Sequence, residues 1–205
     1  MKHIKGIWCK KIGMTQAFQE NGILVPVTVL DASAWRVIEV KPNSVRIGWV
    51  RSKFQDKEFS SDWLHKPHNY FQVIREVDRV SGEGDASIEL GSLVTVDLLQ
   101  QGDVVSVTGM TIGRGFQGGV KRHGFRGGPA THGDNLGRKP GSIGFMRSRG
   151  RVIKNWRMAG HMGVEKCTVQ GLKVIATESY FGTPALIIKG SVPGKTGSLV
   201  FVGKM

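Results

Sequence analysis

Residues 113–161 read GRGFQGGVKRHGFRGGPATHGDNLGRKPGSIGFMRSRGRVIKNWRMAGH. This stretch, called the basic segment below, holds 11 of the 29 Lys and Arg residues of the 205-residue chain, and Asp134 is its single acid. Its formal charge is therefore +10 (eleven cations minus one acid) of a total of +13, which leaves +3 for the rest of the chain. It also contains 13 of the 29 glycines. Such a stretch buries too little apolar surface to offset the conformational entropy that it loses on ordering. We therefore expect the basic segment to become ordered only when it binds a partner.

Aromatic side chains distinguish the basic segment from a solvated charged loop, which is the alternative interpretation. Arg and Lys neutralise phosphates, Arg also stacks on bases, and aromatic rings stack on unpaired bases. Glycine allows a close approach of the backbone to nucleic-acid strands. The composition therefore predicts that the basic segment becomes ordered when it binds a dense polyanion, and RNA is the polyanion that best matches this composition. The rings that lie among the cations are Phe116, His123, Phe125, Phe145 and Trp156.

The length of the basic segment fits an RNA interior better than a DNA groove. A fully extended chain spans at most ~3.3–3.6 Å per residue. If half of the segment runs outward and the other half returns, the segment extends at most ~80 Å from its ends. The spacing matches neither a helix-turn-helix nor a zinc finger, the common modules that read DNA sequence.

The composition of the whole chain sets the class of partner. Apolar residues make up 40% of the sequence, enough for one core, and the length suits one domain with an appendage or two small domains. The isoelectric point of about 10.1 indicates nucleic acid or an anionic membrane surface. The basic segment is too rich in glycine for an amphipathic helix, and no apolar run approaches the ~20 residues that span a bilayer. A membrane partner is therefore not predicted.

The remainder of the chain has the pattern of a small β-barrel or sandwich with two projecting insertions. Pro26 interrupts one strand and has no N–H to donate, so we expect an edge or a bulge there. Strands at both ends of the chain close the core around the insertions, of which one is the basic segment. The predicted strands are 23–30, 35–41, 45–50, 93–98, 104–108, 167–176, 185–189 and 198–202.

Residues 51–89 form the other insertion, and their mixed charges indicate a structural rather than a binding role. Pro67 suits the first turn of a helix, and the apolar residues after it recur at helical spacing. The sequence therefore predicts an α-containing insertion packed on the β core. The residues on the predicted helical face are Tyr70, Val73, Ile74 and Val77.

Glycine motifs in the chain do not predict a nucleotide site. Gly113, Gly115 and Gly118 match the dinucleotide fingerprint, but the residues that follow do not predict an amphipathic helix, and no βαβ unit surrounds them. Residues 192–197 (VPGKTG) lack the first glycine of a phosphate-binding loop, since Lys189 holds that position, so a β-turn explains them. A nucleotide-dependent oxidoreductase would depend on the first match alone.

Metal and catalytic sites are not predicted either. Cys9 and Cys167 lie far apart and outside any CxxC pair, which indicates a reducing compartment and no disulfide framework. The histidines of the basic segment match no ligand spacing, and its positive field opposes a dication. There is no paired-carboxylate site and no nucleophile elbow, so we predict no enzyme and no cofactor. The residues considered for a metal site are His123, His132, Asp134, His161 and Cys167.

Five motifs resemble, in the same order, those of the ribosomal protein L3 family of the bacterial and organellar type. They are KIGMTQ at 11–16, GFQGGVKRHGF at 115–125, GGPATHG at 127–133, PGSIG at 140–144 and MAGHMG at 158–163. The resemblance extends over nearly the whole chain, and only residues 51–80 match loosely. Members of the family commonly have Gln after the Ser-Ile-Gly, methylated in some. This chain has Phe145 there, so that modification is not expected.

The resemblance implies a mainly β fold. It consists of a closed six-stranded barrel of the translation-factor type (1–50, 90–112 and 162–205), an α/β insertion (51–89) and a long extended basic finger (113–161). It also implies a structural protein of the large ribosomal subunit that binds its rRNA directly, supports early assembly and brings the finger tip near the peptidyl transferase centre. Catalysis in that family belongs to RNA.

The partners implied are large-subunit rRNA and neighbouring ribosomal proteins, with no membrane and no small-molecule substrate. The N-terminal residues lack the apolar region of a secretory signal, and no transit peptide is evident. We therefore expect a ribosome in the cytoplasm, with a mitochondrial or plastid ribosome as the alternative. A free RNA- or DNA-binding protein of the chaperone type is the rival function. The expected rRNA contacts are Arg114, Lys121, Arg122, His123, Phe125, Arg126, His132, Arg138, Lys139, Phe145, Arg147, Arg149, Arg151, Lys154, Trp156, Arg157 and His161.

Overall fold

The computed structural model describes residues 4–19, 21–79, 88–94, 98–144, 150–180 and 183–205. The chain divides into two compact units. The β unit comprises Met1–Met110 and Lys166–Met205, and the arm unit comprises Thr111–Glu165. The strands are β1 (Gly6–Phe18), β2 (Leu24–Asp31), β3 (Trp35–Val40), β4 (Ser44–Val50), β5 (Phe71–Asp78), β6 (Val104–Met110), β7 (Phe116–Gln117), β8 (Gly160–His161), β9 (Lys166–Tyr180), β10 (Thr183–Lys189) and β11 (Leu199–Lys204). The helices are α1 (Asp62–His65), α2 (Pro67–Tyr70) and α3 (Gly119–His123), with a 3₁₀ turn at Ser52–Phe54.

Six strands of the β unit pair in a closed ring, in the order β1-β11-β6-β9-β10-β2, and every neighbouring pair is antiparallel. A closed ring leaves no row of unpaired backbone groups at an edge. Strands from the two ends of the chain are neighbours, since Ile7 of β1 pairs with Val202 of β11. The prediction of a mainly β protein, with terminal strands that close its core, is confirmed.

The core of the ring follows from the alternation of side chains along its strands. Val105 and Val107 of β6 are fully buried, as are Val200 and Val202 of β11. Between them lie residues that are more exposed, such as Ser106 and Phe201. Branched apolar residues at every second position therefore give β6 and β11 one core face each, and the same cluster includes residues of the second sheet.

Pro26 lies at one end of the β2–β10 ladder. Strand β2 pairs with β1 along its whole length, but its register with β10 runs only from Val27 to Asp31. Just beyond β10, Gly190 N donates to the carbonyl oxygen of Pro26 at 2.9 Å. Because proline has no N–H to donate to a ladder, the end of a ladder is a position that tolerates it. The ring is closed, so the expected edge is present only as the end of this ladder.

The second sheet of the β unit corrects two predictions. Strands β3 and β4 do not join the ring, where the sequence analysis placed residues 1–50, but pair with β5 in the order β3-β4-β5. Strand β5 covers residues for which a helix was predicted, and Val77 and Val73 pair there with Val45 and Trp49 of β4. Over eight residues an apolar spacing of three and four fits either element, so the ladder with β4 decides the outcome.

Helices do occur among the described residues of 51–89, but each is a single turn. Pro67 begins α2, as predicted, and the helix ends at Tyr70. Trp63 of α1 is buried and stacks on Tyr70 with ring centroids 5.2 Å apart. With Val50 and Phe71 it forms a small apolar cluster of its own, which gives this part of the chain its packing. The predicted strand 93–98 lies partly outside the described residues, and Leu93 forms only an isolated bridge with Arg36.

A buried lysine connects the ring to the loop before β11. Lys11 donates from Nζ to the carbonyl oxygens of Val192 at 3.1 Å and Gly194 at 2.9 Å. Burial lowers the pKa of Lys11, because water no longer solvates its charge. The side chain therefore provides hydrogen bonds to two loop carbonyl oxygens, which oppose the unfavourable desolvation of its ammonium group.

We expect Lys11→Met to lower the free energy of unfolding by about 1–3 kcal/mol, because two carbonyl oxygens lose their donor. Urea titration followed by circular dichroism measures the loss. The matched control is Lys195→Met, which removes an exposed lysine of the same loop and should change the free energy by less than about 0.5 kcal/mol. Equal effects of the two variants would contradict the role of Lys11.

Candidate nucleic-acid interface

The arm unit begins and ends in a two-stranded stem, residues 111–117 and 160–165. Strand β7 pairs antiparallel with β8, so that Phe116 lies opposite His161. Backbone bonds extend the ladder, from Thr111 N to Glu165 O at 2.9 Å and from Arg114 N to Met162 O at 2.9 Å. The stem therefore holds the two chain ends of the arm side by side through backbone hydrogen bonds.

Gly163 is the position where the stem requires glycine. Its φ is +82°, in the left-handed region, and a Cβ atom there would overlap the carbonyl oxygen of Ile112. Any other residue would have both an unfavourable φ and a steric overlap of its Cβ atom. Gly163 is therefore explained by the fold of the stem rather than by a ligand site.

A short helix follows the glycines at 113–118, where the sequence analysis predicted none. Helix α3 has five residues, between an extended Gly118 and a left-handed Gly124 with φ +71°. Gly124 ends the helix because this conformation costs glycine little. The nearby strand β7 pairs antiparallel with β8, so the described residues form no βαβ unit here. The dinucleotide interpretation gains no support.

Two of the predicted contact residues brace the arm internally. Arg122 donates from Nη1 to the carbonyl oxygen of Met158 at 2.8 Å, and His123 Nε2 lies 2.9 Å from the same oxygen. Both side chains are half-buried. Helix α3 is thereby tied to the segment that returns toward β8. A role of Arg122 and His123 in binding RNA stays a prediction.

Asp134, the single acid of the basic segment, shapes a loop. Its carboxylate accepts hydrogen bonds from the backbone N–H groups of Leu136 and Gly137, both at 3.3 Å. Gly128 N also donates to Gly137 O at 2.7 Å, which closes the loop. Asp134 therefore stabilises a turn between backbone groups, and it forms no ion pair with a cation of the described part of the chain.

The arm unit has no apolar core among its described residues, 111–144 and 150–165. Gly119 alone is buried there, and Phe116 is 76% exposed. Backbone hydrogen bonds and the Met158 contacts hold the conformation instead. That the arm gains its order from a polyanion stays a prediction, and this burial pattern is its physical basis.

The described cations of the arm unit are exposed, apart from the half-buried Arg122, and have no carboxylate partner among the described residues. In the β unit, by contrast, Lys204 lies 2.8 Å from Asp103 and Arg46 lies 2.9 Å from Glu39. The arm has no apolar core, and its cations lack carboxylate partners among the described residues. The electrostatic potential around it is therefore positive, which attracts a polyanion. Phe145, Arg147 and Arg149 lie outside the described residues. The exposed predicted contacts are Arg114, Lys121, Arg126, His132, Arg138, Lys139, Arg151, Lys154, Trp156, Arg157 and His161.

Comparison with known proteins identifies the family. Residues 77–185 match the sequence model of the family described as Ribosomal protein L3. The chain is 42% identical over 212 residues to the large ribosomal subunit protein uL3 of Lactobacillus johnsonii, an alignment that covers 97% of this chain and 95% of that protein. The chain belongs to the ribosomal protein L3 family. The uL3 proteins of Thioalkalivibrio sulfidiphilus and a Synechococcus strain are each 40% identical, over 96% of this chain and 95% and 93% of theirs.

Membership of the ribosomal protein L3 family confirms the resemblance inferred from the five motifs and the prediction that the protein is not an enzyme, since the family is structural. Within the described ranges, no three His, Cys, Asp or Glu residues group as a metal site would require. Cys9 and Cys167 are free thiols, and burial raises the pKa of Cys9 so that it stays protonated. No helix in the described part of the chain has the length and apolar character to cross a bilayer.

The structure also brings together predicted contacts that are distant in sequence. Phe125, Trp156 and Arg157 line one cleft of about 390 Å³ in the arm unit. The other walls of this cleft were not among the predicted contacts, although residues 140–143 belong to the PGSIG motif, because none of these side chains carries a charge or an aromatic ring. Those residues are Pro140, Gly141, Ser142, Ile143 and Asn155.

Proposed function

We propose that this protein is a structural constituent of the large ribosomal subunit and that its arm unit binds large-subunit rRNA directly. The charge distribution supports this most directly: the basic segment holds +10 of the +13 charge, and its described cations, all exposed except Arg122, have no carboxylate partners among the described residues. An arm without an apolar core suits penetration between RNA helices, because it has no packing of its own to lose. The relatives named large ribosomal subunit protein uL3 support the same assembly.

In this proposal the β unit is the scaffold, with a six-stranded barrel of the translation-factor type and the 51–89 region as an α/β insertion. The basic segment, 113–161, is a finger whose cations neutralise phosphates and whose glycines permit close backbone approach. Neighbouring large-subunit proteins complete the set of partners. We also propose an early role in assembly and a finger tip near the peptidyl transferase centre, where catalysis belongs to RNA. The ribosome is that of the cytoplasm or of an organelle.

We expect the protein to co-sediment with large ribosomal subunits at moderate salt and to protect one defined set of rRNA nucleotides from chemical probing. A fixed site follows from a fixed partner, whereas a chaperone-like binder protects scattered positions. Recovery of the chain only in free fractions would refute membership of the subunit. Scattered protection would favour the rival function instead.

A further inference from the structure

The cleft of the arm unit is the feature that the proposed function leaves unexplained. Its volume of about 390 Å³ lies in the range of ~300–1,000 Å³ that small-molecule sites occupy. That space fits a single nucleotide and is too small for an RNA helix. Its walls are Phe125, Pro140, Gly141, Ser142, Ile143, Asn155, Trp156 and Arg157.

We propose that this cleft, called the base pocket below, receives one unstacked nucleobase of the RNA. The inference deepens the proposed function and rests on it. Apolar surface from Phe125, Ile143 and Trp156 lies beside the polar groups of Ser142, Asn155 and Arg157. A nucleobase has this same division, since its two faces are apolar and its edge carries donors and acceptors.

Phe125 has contacts on two sides within the arm. A Cβ atom at Gly119 would lie 2.7 Å from Cδ2 of Phe125, so glycine at this position lets the ring pack against helix α3. On another side the ring centroid lies 5.8 Å from that of His123, whose Nε2 lies 2.9 Å from the Met158 carbonyl oxygen. These contacts restrict the ring in the arm's ordered conformation, so a base that stacks on it there costs less side-chain entropy.

The backbone at Asn155 places the polar wall next to Trp156. Asn155 has a φ of +63°, one of three positive φ values at non-glycine residues in the described chain. Asparagine tolerates this left-handed conformation better than most residues. Its amide offers both donors and an acceptor, the combination that pairs with the edge of a base. Trp156 beside it is 40% exposed.

The positive charge at the base pocket favours a nucleotide over an uncharged aromatic ligand. The walls of the base pocket contain no carboxylate, and Arg157 is a cation in the wall itself. Lys139 and Lys154 adjoin wall residues in sequence and are exposed. Cations around an aromatic cleft favour a base that is attached to a phosphate backbone, because stacking and charge neutralisation then act on one ligand.

The test uses the full chain and a short single-stranded RNA with 2-aminopurine at one central position. A matched RNA has an abasic residue at that position. Stacking on a protein ring changes affinity by about 5- to 150-fold per base, so we expect Trp156→Ala and Phe125→Ala to weaken binding of the first RNA at least fivefold and to leave the abasic RNA unaffected. The fluorescence of 2-aminopurine should be quenched by the wild-type chain and recover in both variants.

Two variants serve as controls. Trp156→Phe retains an aromatic face and should restore most of the affinity, which separates stacking from a folding defect. Val152→Ala shortens an exposed apolar side chain of the same arm, outside the base pocket, and should change the affinity for neither RNA. Unchanged affinity in Trp156→Ala, or equal losses for the two RNAs, would overturn the base pocket alone. Failure of the wild-type chain to bind either RNA would overturn the proposed function as well.

Discussion

The association constant for RNA is expected to fall steeply with salt, and neutralising four arm cations should make that dependence clearly shallower. Each phosphate that is neutralised contributes ~0.7–0.9 to the slope of log K against log salt concentration. The variant carries Gln at Arg126, Arg138, Lys139 and Lys154, which are exposed and lie in the basic segment. If each contacts a phosphate, the slope decreases in magnitude by about 3. Filter binding to large-subunit rRNA across a range of salt concentrations measures it.

The matched control removes the same charge from the β unit. Gln at Lys53, Lys66, Lys173 and Lys195, all exposed, also reduces the net charge from +13 to +9, since four cations are lost. This variant should keep the wild-type slope to within about one phosphate contact. Equal slopes in the two variants would show that total charge, rather than the arm, controls binding.

The charge of the arm could be predicted because charge adds along the sequence without reference to the fold. Its geometry could not. The contact of Arg122 with the Met158 carbonyl oxygen joins residues 36 positions apart, and no local pattern indicates it. The base pocket likewise combines Phe125 with Trp156, and Asn155 in its polar wall belongs to none of the five motifs. Sequence reasoning therefore identified which segment carries the charge but not which side chains meet.

The strands show the same division between local and long-range information. Val45, Ile47 and Trp49 alternate on one predicted face, and all three are buried, because the period of a strand is read from its own residues. The partner of that strand is set by distant residues. Strand β4 pairs with β5 rather than within the ring, so most of the helical face predicted after Pro67 (Tyr70, Val73, Ile74 and Val77) lies in a strand instead. Apolar spacing alone does not distinguish these outcomes over so short a segment.

Trp35→Ala should reduce the free energy of unfolding by about 3–5 kcal/mol, whereas Trp156→Ala should change it by less than about 0.5 kcal/mol. Trp35 is fully buried in the core of the β unit, with its ring centroid 5.3 Å from that of Trp49 at an edge-to-face angle of 83°. Its removal leaves a cavity in a packed core. Trp156 is 40% exposed in an arm unit where Gly119 is the one buried residue among those described.

Urea titration followed by far-ultraviolet circular dichroism measures both variants, since this signal comes mainly from strands of the β unit. RNA affinity should respond in the opposite order, because Trp156 lines the base pocket and Trp35 lies in the scaffold core. Under conditions in which Trp35→Ala is still folded, its affinity should match that of the wild type. A large loss of stability in Trp156→Ala would mean that the arm contributes to the cooperative core. The separation of scaffold from RNA-binding arm would then be wrong, because one packed structure would serve both purposes.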